Sequence, residues 1–133
     1  LDGVSLVPLL RDGRPPARDA LFWHYPHYHR FNYQPSGAIL SGDYKLIEWY
    51  ERSLPGGGHP VSLFNIKDDI GETKDLADQM PDLTGKLWTR LKEWRREVGA
   101  QDMTINPGFD PARALFWSPK VDPDSAKALG QYY

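Results

Sequence analysis

The chain has 133 residues, a one-domain length at which a globule buries roughly two-thirds of its unfolded surface. Its 16 Lys and Arg against 18 Asp and Glu leave a net charge of −2, which argues against a dedicated nucleic-acid binder, whose affinity rests on a basic surface. No apolar run approaches the ~20 residues of a membrane helix, and the absence of Cys excludes disulfides, zinc-thiolate sites and cysteine nucleophiles from this chain. Leu1-Asp2-Gly3 shows no initiator Met, basic n-region or apolar h-region, and reads as the start of a segment cut from something longer.

Ser5 suits the cap of a short helix through Leu6-Val7-Pro8-Leu9-Leu10, ended by Gly13 and Pro15-Pro16. Ala20-Leu21-Phe22-Trp23-His24-Tyr25, closed by Pro26, reads as a strand, and the stretch from Tyr28 to Gln34 as a loop. Ser36-Gly37-Ala38-Ile39-Leu40 and Tyr44-Lys45-Leu46-Ile47-Glu48-Trp49-Tyr50 flank the turn signal Ser41-Gly42-Asp43 and predict an antiparallel hairpin. Leu54-Pro55-Gly56-Gly57-Gly58-His59-Pro60 is a flexible connection. Val61-Ser62-Leu63-Phe64-Asn65-Ile66 alternates as a last strand, and residues 72–77 make one or two helical turns.

Leu83, Leu87, Leu91, Trp94 and Val98 recur at helical spacing along residues 81–98. Pro81 suits the first helical position and Gly99 the left-handed residue after the last turn. Arg90, Arg95 and Arg96 are expected on the solvated face. Residues 107–133 form an extended Pro-rich tail anchored by Phe109, Leu115, Phe116 and Trp117. The predicted fold is therefore α+β, a small antiparallel sheet of three to four strands packed against one long C-terminal amphipathic helix. Strands apolar on both faces leave the second face in need of a cover that this sequence does not supply, and predict self-association of the chain.

Three of the four His residues fall in His24-Tyr25-Pro26-His27-Tyr28-His29-Arg30. Imidazole is the usual acid, base or ligand near neutral pH. These residues suit either a rim loop bonded to backbone and water or a polar surface for substrate. A metal site built from them lacks a nearby carboxylate to orient its ligands. No Gly-x-Ser-x-Gly elbow, Walker loop or His-Glu-x-x-His occurs, so no catalytic residue and no metal ligand is assigned.

Asp2-Gly3-Val4-Ser5-Leu6-Val7-Pro8-Leu9-Leu10 resembles the element that opens the C-terminal part of arylsulfatase-type, formylglycine-dependent sulfatases. Trp23-His24-Tyr25-Pro26-His27-Tyr28, then Gly42-Asp43-Tyr44-Lys45-Leu46-Ile47, follow in that family's order. Leu63-Phe64-Asn65-Ile66-Lys67-Asp68-Asp69-Ile70-Gly71-Glu72-Thr73-Lys74-Asp75-Leu76-Ala77 is similar to a further family segment, and a helix ending in Trp94-Arg95 and Val98-Gly99-Ala100 comes next. The resemblance covers residues 1–106. It implies a C-terminal subdomain that packs on an N-terminal catalytic domain and lends loops to the rim of a pocket for a sulfated substrate, carbohydrates included. His24, His27, His29 and Arg30 are then the candidate substrate-binding residues. Calcium and a formylglycine made from the Cys or Ser of a C/S-x-P-x-R motif are implied for the parent enzyme. Neither is implied in this segment, where Ser62 and Ser118 sit in no such motif. A periplasmic or secreted location is implied by the resemblance alone. The alternative reading is an independent carbohydrate- or protein-binding module.

Overall fold

The computed structural model describes residues 3–28, 34–53 and 59–108. The expected tail from residue 109 onward and residues 54–58 of the Gly-rich connection lie outside them, as do His29 and Arg30. Helix α1 (Val7–Asp12) is followed by β1 (Ala20–Tyr25), β2 (Ser36–Ser41), β3 (Tyr44–Trp49), β4 (Val61–Asn65) and α2 (Pro81–Glu97). The four strands form one antiparallel meander in sequence order. Helix α2 packs against all four of them, so the predicted α+β class and the sheet-on-helix arrangement hold.

Local chemistry sets the boundaries. Gly42 adopts φ 58° between the paired Ser41 and Tyr44, a turn conformation that costs a residue without Cβ nothing. Pro81 stands in the first turn of α2. At the other end, Gly99 has φ 65°; its N–H bonds Arg96 O and that of Ala100 bonds Arg95 O, the paired closure that satisfies the last carbonyls of a helix. Ser5 lies two residues before the start of α1, one short of the cap position held by Leu6, and its Oγ accepts from Val7 N–H at 3.3 Å.

Strand register sorts the side chains into two faces. Phe22, Ile39, Leu46 and Leu63 are cross-strand neighbours on the face under α2. Ile39, Leu46, Leu63 and Leu91 are fully buried, with Leu87, Val61 and Ala77 beside them. Each such aliphatic side chain contributes about 1.5–3 kcal/mol on burial. Phe22 stacks on Trp94 with ring centroids 4.9 Å apart.

Three expectations need correction. Residues 72–77 form no helical turn: Glu72 takes φ 53°, and Asp75 instead accepts N–H bonds from Leu63 and Ala77. Val61, Ser62, Leu63 and Phe64 are all buried, so β4 does not alternate in exposure. On α2, Thr84 is buried with its hydroxyl on Ala77 O, whereas Val98, past the helix end, is half exposed.

Candidate functional site

The exit of β1 carries the predicted polar cluster, and the pleat separates its members. His24 shares the α2 face with Phe22, opposite Gly37 in β2. Tyr50, just beyond β3, lies across Gly37, where an added Cβ would collide with its hydroxyl. That notch lets Tyr50 Oη reach His24 Nδ1 at 2.5 Å, while His24 Nε2 sits 3.1 Å from the Gln101 carbonyl. A carbonyl only accepts, so Nε2 carries the imidazole proton and Nδ1 accepts from the Tyr50 hydroxyl. Burial pushes the Tyr50 hydroxyl above the ordinary phenol range, against the opposing pull of Arg95, and keeps it a donor.

Behind Tyr50 stands a buried ion pair that local sequence reasoning placed in solvent. Arg95 is only 11% exposed, and its Nη1 donates to Glu48 Oε2 at 2.5 Å. Glu48 is 3% exposed and also accepts from Ser53 Oγ at 3.1 Å. The Arg95 guanidinium lies 4.9 Å from the Tyr50 ring centroid, and the Asp102 carboxylate 3.6 Å from its Nε. Burial works against the charge of Arg95, but bonds to Glu48 and Tyr50 outweigh it and hold the group above its ordinary range. Arg90 is also engaged, with Asp19 at 2.7 Å and over the Phe22 ring. The guanidinium of Arg90 is what lowers the Asp19 carboxyl. The expectation of a wholly solvated arginine face is thus overturned for Arg95.

His27 takes a different partner from His24: it is exposed and meets the Tyr25 ring edge-on at 5.4 Å. Tyr25 belongs to the opposite sheet face, with Leu21 and Trp23; these three are 43%, 36% and 47% exposed. Beside them lies an apolar groove of about 530 Å³ lined by Val4, Leu6, Pro15, Pro16, Leu21 and Leu40 among others. Tyr28 hydrogen-bonds the carboxylate of Glu51, which is 5% exposed. Sequence reasoning missed Tyr50, Glu51 and Glu48; their signal is the strand period, which places Glu48 and Tyr50 on the same face as Leu46.

The family-implied groups do not fit the residues present. The chain has no Cys, and among the described residues no three His, Asp or Glu side chains group to hold a cation. Glu48 is committed to Arg95, Asp75 to two backbone N–H groups, and Asp69 to Thr73 and Lys74. No chemical step through calcium or formylglycine is derived for this chain. Among the described residues, no helix is long and apolar enough to cross a membrane.

Comparison with known proteins places this architecture. No family model matches. The chain is 30% identical over 106 residues to a sulfatase of Formosa agariphila, covering 71% of this chain and 18% of that protein. It is 33% identical over 89 residues to arylsulfatase K of Danio rerio, covering 65% of this chain and 16% of that one. The chain thus spans under a fifth of the length of these relatives. Among solved structures, it aligns at TM-score 0.60 and 24% identity with a protein captured with its substrate D-glucosamine-2-N,6-O-disulfate, over 75% of this chain and 20% of that one. The structure described as Ps i-CgsB aligns at 0.53 and 22% identity, over 71% and 19%. These two likenesses are likenesses of fold. With the order of sequence motifs and the two curated relatives in agreement, the chain is related to the sulfatases over a segment that is less than a fifth of their length.

Proposed function

We propose that this chain is the C-terminal subdomain of a sulfuric ester hydrolase, completing the fold of an upstream catalytic domain and forming part of its substrate-pocket rim. The nucleophile and metal site belong to that upstream domain. The observation that carries the reading is the second sheet face, open along its β1 edge. Leu21, Trp23 and Tyr25 stand exposed on a sheet whose other face is sealed by α2. A contiguous apolar face of this kind marks an interface, and the catalytic domain is its occupant.

The rim is assigned to His24, His27, His29 and Arg30. His27, exposed beside Tyr25, is placed to donate to a sugar hydroxyl or a sulfate oxygen, and the tyrosines supply amphipathic contact area. His24 has both ring nitrogens engaged within the chain, so it meets substrate only by giving up Gln101 or Tyr50. The proposed substrate is a sulfated carbohydrate, by analogy with the structural neighbour and its sulfated glucosamine.

The test has two parts. This chain alone should not turn over nitrophenyl sulfate with or without calcium; turnover that persists through further purification would overturn the assignment. In the intact enzyme, Trp23→Asp should release the subdomain and abolish activity on every sulfate ester. An unaffected enzyme, together with glycan binding by the isolated chain, would favour the independent binding module that the exposed Trp23 and Tyr25 also suit.

A further inference from the structure

His24 on β1 and Tyr28 just past it are held from a distance by two consecutive residues that follow β3. Tyr50 Oη bonds His24 Nδ1, and Tyr50 N–H bonds the carbonyl of Pro35, itself fully buried, at 3.1 Å. The next residue, Glu51, receives the Tyr28 hydroxyl although it is 95% removed from solvent. A carboxylate buried to that degree requires donors, and losing one is costly. His24 and Tyr28 bracket Pro26 and His27, so the two bonds fix the backbone on either side of the exposed imidazole. Strand β2 lies between β1 and β3, and only the Gly37 notch allows Tyr50 to cross it.

We infer that Tyr50 and Glu51 are positioning residues for the substrate rim: they hold His24 and Tyr28 and thereby present His27 to the part of the substrate beyond its sulfate. This rests on the rim reading given above. The brace explains why His24, with both ring nitrogens engaged, orients the site and leaves contact with substrate to His27.

The experiment uses the intact enzyme carrying this segment. Hydrogen exchange at residues 24–28 is measured alongside kinetics on nitrophenyl sulfate and on whichever of a panel of sulfated mono- and disaccharides is turned over fastest. Tyr50→Phe and Glu51→Leu should speed exchange at 24–28 about tenfold while α2 is unchanged. Each should raise KM for the sugar by roughly two- to tenfold, the equivalent of one hydrogen bond, with nitrophenyl sulfate unaffected. Glu51→Gln, whose amide oxygen still accepts from Tyr28, should restore both readouts. Unchanged exchange at 24–28 overturns the brace, as does loosening that spreads to α2 with equal losses on both substrates. If His27→Ala is selective against the sugar but the brace variants are not, the rim stands and this inference falls. If His27→Ala is silent as well, the rim reading fails and the positioning role fails with it.

Discussion

Removing Arg95 should cost more stability than any exposed ion pair of this chain. Glu48 is 3% exposed and its guanidinium partner 11%, so Arg95→Met leaves a carboxylate in the interior with only the Ser53 hydroxyl as donor. Deleting one member of a buried pair costs about 3–5 kcal/mol, a large part of the roughly 5–15 kcal/mol that holds a domain folded. Methionine puts an apolar side chain in place of the guanidinium that lies 4.9 Å from the Tyr50 ring centroid, so the loss is chiefly that of the charge. The double variant Glu48→Leu, Arg95→Met removes both charges and should return to within about 1–2 kcal/mol of the parent, because well-packed apolar replacements offset a buried pair. Asp19→Asn, which breaks the solvent-facing pair with Arg90, serves as control and should have little effect. Urea unfolding followed by Trp fluorescence, with unchanged denaturant slopes, measures all of these. A loss below about 1 kcal/mol for Arg95→Met, or a double variant no better than the single, would refute the reasoning.

Gly37→Ala should cost about 1–3 kcal/mol by driving a methyl into the Tyr50 hydroxyl, and Tyr50→Phe in the same chain should recover part of it; additive losses would show that the notch is not the cause. Burial raises the Asp75 carboxyl, but the N–H groups of Leu63 and Ala77 outweigh it and hold the group below its ordinary range. A carboxyl depressed in the fold adds stability that is complete above the unfolded value of about 3.9 and fades as pH falls through the native one. Asp75→Asn should therefore flatten the acid limb of the stability curve below about pH 4, and an unchanged limb in acid titration would count against those bonds. Sedimentation of this chain alone should show association through the open face, reduced by Trp23→Asp; a monomeric parent would mean the face is covered within the chain.

Much of the fold was legible because its signals are local. The Ser41-Gly42-Asp43 turn between two apolar runs gave the hairpin, and Leu83, Leu87 and Leu91 at helical spacing gave the buried side of α2. Residues 72–77 read locally as helical turns, and only the structure shows the Asp75 carboxylate bonded to the Leu63 N–H of β4. Arg95 was misread for a similar reason. A charge beside Trp94 reads as the solvent edge of a helix until Glu48, 47 residues earlier, is brought beneath it. Yet half of that pair was visible: Leu46, Glu48 and Tyr50 share strand parity, so a core-facing Leu46 commits Glu48 to the interior and demands a cation. The density of the histidine cluster in sequence says nothing of each ring's partners. His24 lies inside β1 and His27 beyond Pro26, so nearness in sequence did not give them the same partners.

The exposure of the second sheet face is graded, and the gradient marks the β1 edge as the side a partner would cover. At the β4 side, Ser62 and Phe64 are each 8% exposed, and Ser62 receives the Trp49 indole N–H at 3.2 Å. At the β1 edge, Leu21, Trp23 and Tyr25 are open, and the groove against residues 3–18 continues from them. Helix α1 buries none of its own residues, although Val7, Leu9 and Leu10 are apolar and exposed. An element so short is marginal in water without tertiary cover. One partner seated along the β1 edge would cover α1, the groove and the aromatic strand together. Tyr25 lies within that footprint and also touches His27. On the proposed reading, docking and rim would therefore be coupled through a single side chain, since Tyr25 is also the ring against which the exposed imidazole of His27 is held.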